Sequence, residues 1–246
     1  MTGDRGSRLL LLDFDGVIAD SVEECLAVTW FADRPSESDV PLAQQFSAVP
    51  EVFRARFHQL RPFARTLDDF FVAKADSDYP VRRQSDFDAL KATQPETDRQ
   101  AFTTAATALR HRWRTGQRQQ WLDTHTIFDG VAEVLQRYSG DVFVITAKDA
   151  ESSIEILEHF GLDKHVAGVV GDVSDKGMAA RCLSLGRGVA FAEAVFIDDN
   201  LTNVARVRSA GIPSRWARWG WTSPEHDAVA AAQEIDSIDL HELDGL

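Results

Sequence analysis

The 246-residue chain is poor in cysteine, in basic charge and in long apolar runs. Each shortage excludes a class of protein. Its two cysteines, Cys25 and Cys182, stand far apart and in no metal-ligand spacing. A disulfide scaffold and a cysteine zinc site are thereby excluded, and two reduced thiols in a cytoplasmic protein are the expectation. With 26 Lys+Arg against 39 Asp+Glu the net charge is −13, so the basic footprint of a nucleic-acid binder is missing. No stretch approaches the roughly 20 apolar residues of a membrane helix. The leucines behind MTGDRGSR are too few for a secretory signal. The expected location is cytoplasmic, with neither nucleic-acid nor membrane partners.

What is present starts with Leu9–Gly16, LLLLDFDG. Four leucines suit a buried strand, and the strand then stops at two carboxylates, Asp13 and Asp15, followed by Gly16. Acids at the carboxyl end of a strand lie on the edge where open α/β sheets build their sites. Paired there, they suit a divalent metal, proton transfer or nucleophilic attack; a plain strand cap and turn would read the same.

Behind this strand, Ser21 is placed to cap a helix from Val22 to about Ala32, which Pro35–Asp39 and Pro41 break. From there to about Thr126 the pattern is helical. Aromatic and aliphatic residues recur at three- and four-residue spacing in Glu51–Leu60 and Phe63–Ala75, and a long helix starts at Pro95. After residue 127, short apolar runs (Val142–Thr146, Val166–Val170, Val195–Ile197, Ser214–Trp219) alternate with helical segments. That alternation predicts a parallel sheet covered on both faces. The expected architecture is therefore an α/β, Rossmann-like core, residues 1–20 and 127–246, interrupted by an all-helical insert, residues 21–126. Charge divides in the same way. Residues 20–127 hold 14 Lys+Arg and 16 Asp+Glu, net −2, which leaves −11 for the remainder.

Three later strands also end in polar groups: Thr146-Ala147-Lys148, Asp175-Lys176-Gly177 and Asp198-Asp199-Asn200. A lysine at a helix start opposes the helix dipole, so Lys176 implies a bound anion or neighbouring carboxylates. Carboxylates crowded on one edge repel unless a cation sits among them. A hard divalent ion such as Mg²⁺, with oxygen ligands and phosphate as a further ligand, resolves that repulsion.

Together these stretches resemble the four motifs of the haloacid dehalogenase-like superfamily. Asp13-Phe14-Asp15-Gly16-Val17 matches the first motif, Thr146 the second, Lys176 the third and Asp198-Asp199 the fourth. Asp20-Ser21, Phe128-Asp129-Gly130-Val131 and Ala210-Gly211-Ile212 extend the likeness. The insert stands where a cap of the first (C1) type would. The resemblance implies a phosphatase whose nucleophile is Asp13 and whose acid/base is Asp15. Gly16, Thr146, Ala147 and Lys176 would bind the phosphate of a small-molecule substrate, and Mg²⁺ would sit on Asp13, the Asp15 carbonyl, Asp198 and Asp199.

Asp15 argues against a dehalogenase, whose leaving halide needs no proton. A sugar-phosphate mutase and a non-catalytic scaffold on the same fold are the alternatives. Asn203 stands where relatives often carry an acid four residues beyond the metal-binding Asp; an amide can still accept from a metal-bound water, so weaker or differently arranged partners around the ion are expected, not a dead site. In the insert, Arg61 is the first candidate for a substrate contact, ahead of Arg54, Arg56 and Arg65. Oligomeric state, monomer or homodimer, is open.

Overall fold

A computed structural model describes residues 9–34, 40–76 and 79–245; the expected break at Pro35–Asp39 lies outside them. Among the described residues the strands are β1 (Leu9–Leu12), β2 (Ala19–Asp20), β3 (Thr126–Ile127), β4 (Val142–Ile145), β5 (Gly168–Val170), β6 (Ala194–Asp198), β7 (Ser214–Ala217) and β8 (Ser237–Ile238). Six form one sheet in the order β5-β4-β1-β6-β7-β8, and β2 pairs with β3. Every pairing in the six-stranded sheet is parallel.

The order explains the leucine run. Strand β1 has β4 on one side, with Leu10 opposite Val142, and β6 on the other, with Leu10 opposite Val195. All four leucines are buried at 2% exposure or less. A central parallel strand with both faces covered has no solvent face to make polar, so its sequence does not alternate. Leu9 and Leu11 pack with Phe196, Ala180, Val207 and Ile212 in one cluster. Trp216 anchors another with Leu201, Val204, Ala230 and Ile235. Each leucine, isoleucine, valine or phenylalanine so taken from water contributes about 1.5–3 kcal/mol.

Successive strands fill first one side of β1 (β4, β5) and then the other (β6, β7, β8). The chain direction thus reverses beside β1, and the crevice at that switch point lies at the strands' carboxyl ends. Three helices start on this edge with side-chain caps. Asp149 accepts the Ser152 N–H (2.8 Å), Asp175 that of Met178 (3.1 Å), and Asn200 that of Thr202 (3.0 Å). Each cap is worth about 1 kcal/mol.

The chain divides into two compact units, residues 1–20 with 127–246, and residues 21–126. The second unit is helical: Val22–Phe31, Leu42–Ser47, Glu51–Leu60, Gln84–Ala92, Glu96–Gly116 and Arg118–Leu122. Its interior holds an ion pair. Arg110 Nε and Nη2 donate to the two oxygens of Glu24 at 2.6 and 3.0 Å, and the Glu24 side chain is fully buried.

Two local expectations are corrected. Ser21 precedes the first helix but its side chain makes no cap hydrogen bond. Phe63–Ala75 is not one α-helix: it holds the end of a 3₁₀ turn, Arg61–Phe63, an extended Ala64, and a 3₁₀ run, Leu67–Lys74. Asp69 is the cause. Its carboxylate accepts the Arg65 and Thr66 main-chain N–H groups (2.7 and 3.2 Å), offering that backbone an alternative to helix. The aromatic spacing is satisfied all the same, which is why periodicity alone misread the segment. Among the described residues no helix is long and apolar enough to cross a membrane.

Candidate active site

The parallel register carries the first-motif acids and the later strand ends to one edge. The Asp13 N–H donates to Ile197 O (2.9 Å), continuing the β1–β6 ladder, and the Thr146 N–H donates to Val170 O (3.0 Å), continuing β4–β5. Asp13 therefore sits beside the end of β6, where Asp198 and Asp199 follow.

Lys176, from the first turn of Lys176–Arg187, closes the cluster. Its Nζ lies 2.7 Å from Asp13 Oδ1 and 2.7 Å from Asp198 Oδ2. The lysine side chain is 3% exposed, so the pair of carboxylates offsets both its desolvation and its place at a positive helix end. Those two anions hold its pKa above the ordinary lysine value although burial pulls it down. Asp13 moves the other way. Burial pushes its carboxyl up to about 7, against the pull of Lys176 and helped by the negative charges of Asp198 and Asp15.

Asp198 is held at both oxygens. Oδ1 accepts the Asn200 N–H (2.7 Å), while Oδ2 accepts Lys176 and the Asn203 side-chain amide (3.1 Å). Asn203 thus donates its side-chain N–H to Asp198 itself. Asp199 accepts the Trp221 N–H at Oδ2 (2.9 Å). Gly16, at φ +89°, packs against it so closely that a Cβ would overlap the Asp199 carboxyl. A positive φ and missing space both demand glycine there.

Thr146 is buried, and its hydroxyl accepts the Lys148 N–H (3.1 Å). Ala147, between them, is half-buried. Lys148 is a site residue that the motif reading passed over. Its side chain is 1% exposed and its Nζ lies 3.4 Å from Asp15 Oδ2. The signal was present in the sequence, since Lys148 ends the same strand as Thr146. The turn Trp219-Gly220-Trp221 was missed entirely, because its contacts with Asp199 come from a main-chain N–H and from a glycine's missing side chain.

Arg61 belongs to the other unit. Its Nη1 donates to Ala64 O (3.3 Å) and its guanidinium carbon stands 5.2 Å from the Phe70 ring centre. The other candidate arginines have partners in the insert as well: Arg54 pairs with Glu23, Arg56 Nε donates to Ala73 O (3.2 Å) and Arg65 pairs with Asp88 (2.6 Å).

The donor set suits a hard divalent ion. Asp13, Asp198 and Asp199 each offer a carboxylate oxygen, and these oxygens lie within 4.8 Å of one another. Asp13, Asp15, Asp198 and Asp199 set against Lys148 and Lys176 leave two negative charges, the charge of one such ion.

A parallel α/β core with paired acids at the end of its central strand and an acid–lysine cluster at its switch point points to a class of hydrolase. The family comparison agrees: residues 8–211 match the haloacid dehalogenase-like hydrolase model, and the chain belongs to that family. No curated protein sequence matches it significantly. Solved structures do. A haloacid dehalogenase-like family hydrolase from Streptococcus pneumoniae aligns at TM-score 0.57 and 14% identity, covering 96% of this chain and 95% of that one. A predicted phosphatase from Clostridium acetobutylicum aligns at 0.62 and 18%, covering 95% and 93%. A predicted phosphoglycolate phosphatase from Haemophilus somnus aligns at 0.62 and 16%, covering 96% of each chain. At such identities the likeness is one of fold.

Proposed function

We propose that this hydrolase cleaves small-molecule phosphate monoesters through an aspartyl-phosphate intermediate, with Mg²⁺ bound. The observation that carries the reading is Lys176 Nζ, 2.7 Å from both Asp13 and Asp198. A buried ammonium against the nucleophile is a seat for phosphate oxygens.

Asp13 attacks phosphorus in line. Its carboxylate oxygen forms the new O–P bond as the bond to the leaving oxygen breaks. Asp15 gives that oxygen its proton, then takes one from the water that releases inorganic phosphate and restores Asp13. Thr146 and Lys176 hold the non-bridging oxygens, with Gly16 and Ala147 beside them. Asp13, the Asp15 carbonyl, Asp198 and Asp199 would hold Mg²⁺, which would supply positive charge to offset that of the nucleophile and the phosphate. In this reading the insert, residues 21–126, is the cap that meets the leaving group, with Arg61 its first candidate contact. One structural neighbour is described as a predicted phosphoglycolate phosphatase; a short phosphorylated acid accordingly belongs in any substrate panel.

The test is phosphate release from sugar phosphates, nucleotides and phospho-acids with Mg²⁺. The expected result is turnover that chelation abolishes and Asp13→Asn lowers by at least about 10³-fold. No turnover by the wild type across the panel, or equal turnover by Asp13→Asn, overturns the reading.

A further inference from the structure

We infer that the turn after β7, Trp219-Gly220-Trp221, is a clamp that positions Asp199 and so sets the affinity of the divalent-ion site. The inference rests on the metal site proposed above and extends it to residues outside the four motifs.

Asp199 is gripped at both ends. Its carboxylate accepts the Trp221 main-chain N–H at Oδ2 (2.9 Å), and its main-chain carbonyl accepts the Trp216 indole N–H (2.9 Å). The same turn also reaches the first-motif loop, since the Trp219 indole N–H donates to Val17 O at 3.1 Å. Between the two tryptophans, Gly220 packs where a Cβ would overlap Asp199 Cβ and the Gly16 carbonyl. Gly16 stands against Asp199 in the same way. Two glycines from two different strand-end loops therefore enclose one carboxylate, and N–H groups from the Trp216–Trp221 stretch tie down its head and its backbone.

A carboxylate on a single χ1–χ2 hinge swings unless something fixes it, and a swinging ligand loses affinity for its ion. Partners that orient a metal-binding side chain are typically worth 10–100-fold in metal affinity. Gly220 has no other evident demand for glycine, because its φ does not lie in the left-handed region. Its missing side chain is explained by the approach of Asp199 and the Gly16 carbonyl. A residue serving packing alone would change stability when substituted and leave metal affinity in the folded protein unaltered.

The experiment uses the full chain and Mn²⁺, a hard-oxygen stand-in for Mg²⁺ whose free ion is counted by electron paramagnetic resonance. Gly220→Ala is expected to raise the Mn²⁺ Kd about 10–100-fold, with the far-ultraviolet circular dichroism of the wild type retained. Trp219→Phe keeps a ring and deletes the bond to Val17 O; it is expected to raise the Kd about threefold or more, a weaker effect of the same kind. Folded Gly220→Ala with wild-type affinity overturns the clamp. If Gly220→Ala does not fold, Trp219→Phe decides, and an unchanged Kd there overturns it. Asp199→Asn separates this inference from its foundation. Asp199→Asn that binds Mn²⁺ as tightly as wild type overturns the metal site itself. Loss of binding in Asp199→Asn beside wild-type affinity in folded Gly220→Ala overturns only the clamp.

Discussion

Asn203 donates its side-chain amide to Asp198 Oδ2 at 3.1 Å, the oxygen that also accepts Lys176. Both residues are buried. An acid at position 203 would set a second carboxylate against Asp198, whereas the amide adds a donor. Asn203→Asp is expected to lower kcat/KM about tenfold or more at neutral pH, by misplacing Lys176. It should also destabilise the fold by about 1–3 kcal/mol, the cost of an unmet buried polar group. Steady-state kinetics and urea unfolding measure the two effects.

Lys148 lies 3.4 Å from Asp15 Oδ2 and holds the proposed acid/base in place. Lys148→Met should reduce kcat about 10–100-fold on alkyl phosphates, where the leaving oxygen needs a proton. On p-nitrophenyl phosphate, whose leaving group departs as an anion, the loss should be smaller. Equal losses on the two substrates would show that Lys148 does not act through Asp15.

The buried Glu24–Arg110 pair joins the first and longest helices of the insert. Arg110→Met takes the guanidinium from a fully buried carboxylate, a change that typically costs about 3–5 kcal/mol. Denaturant unfolding of the variant is expected to show a loss of that size. A loss below about 1 kcal/mol would mean that Glu24 finds another donor or a proton.

His226 gives the fold a pH response away from the proposed catalytic acids. Burial depresses its pKa below the ordinary value near 6.5, against the opposing charge of Asp227. Its Nδ1 also accepts the Ser223 N–H at 3.3 Å, capping the helix Pro224–Ala232, and protonation ends that bond. The unfolded chain thus binds a proton more readily than the folded one. This contribution to stability is complete above about pH 6.5 and is lost as pH falls through the lower, folded value. The melting temperature should drop across that window, and His226→Gln should flatten the drop.

Much of the candidate site was legible because several of its groups stand at the end of a short apolar run. Asp13 and Thr146 follow, and Asp198 ends, apolar strands that are mostly buried, so the switch from apolar to polar is abrupt. Lys176 stood out by contradicting the helix dipole. The arginines of the insert were harder to read. A guanidinium reads the same in sequence whether it meets a ligand or, like Arg65 and Asp88, a neighbouring helix.

LLLLDFDG shows what each level decided. Local pattern alone determined a buried strand, its abrupt end and a pair of carboxylates just beyond it, because burial and charge are properties of the residues themselves. Tertiary structure decided that this strand lies between β4 and β6, and that Lys176 bridges Asp13 to Asp198. It also decided that Gly16 and Gly220 face Asp199 from two loops. Those are relations between segments far apart in the chain. They depend on close approach and main-chain hydrogen bonds, which no residue's own chemistry announces.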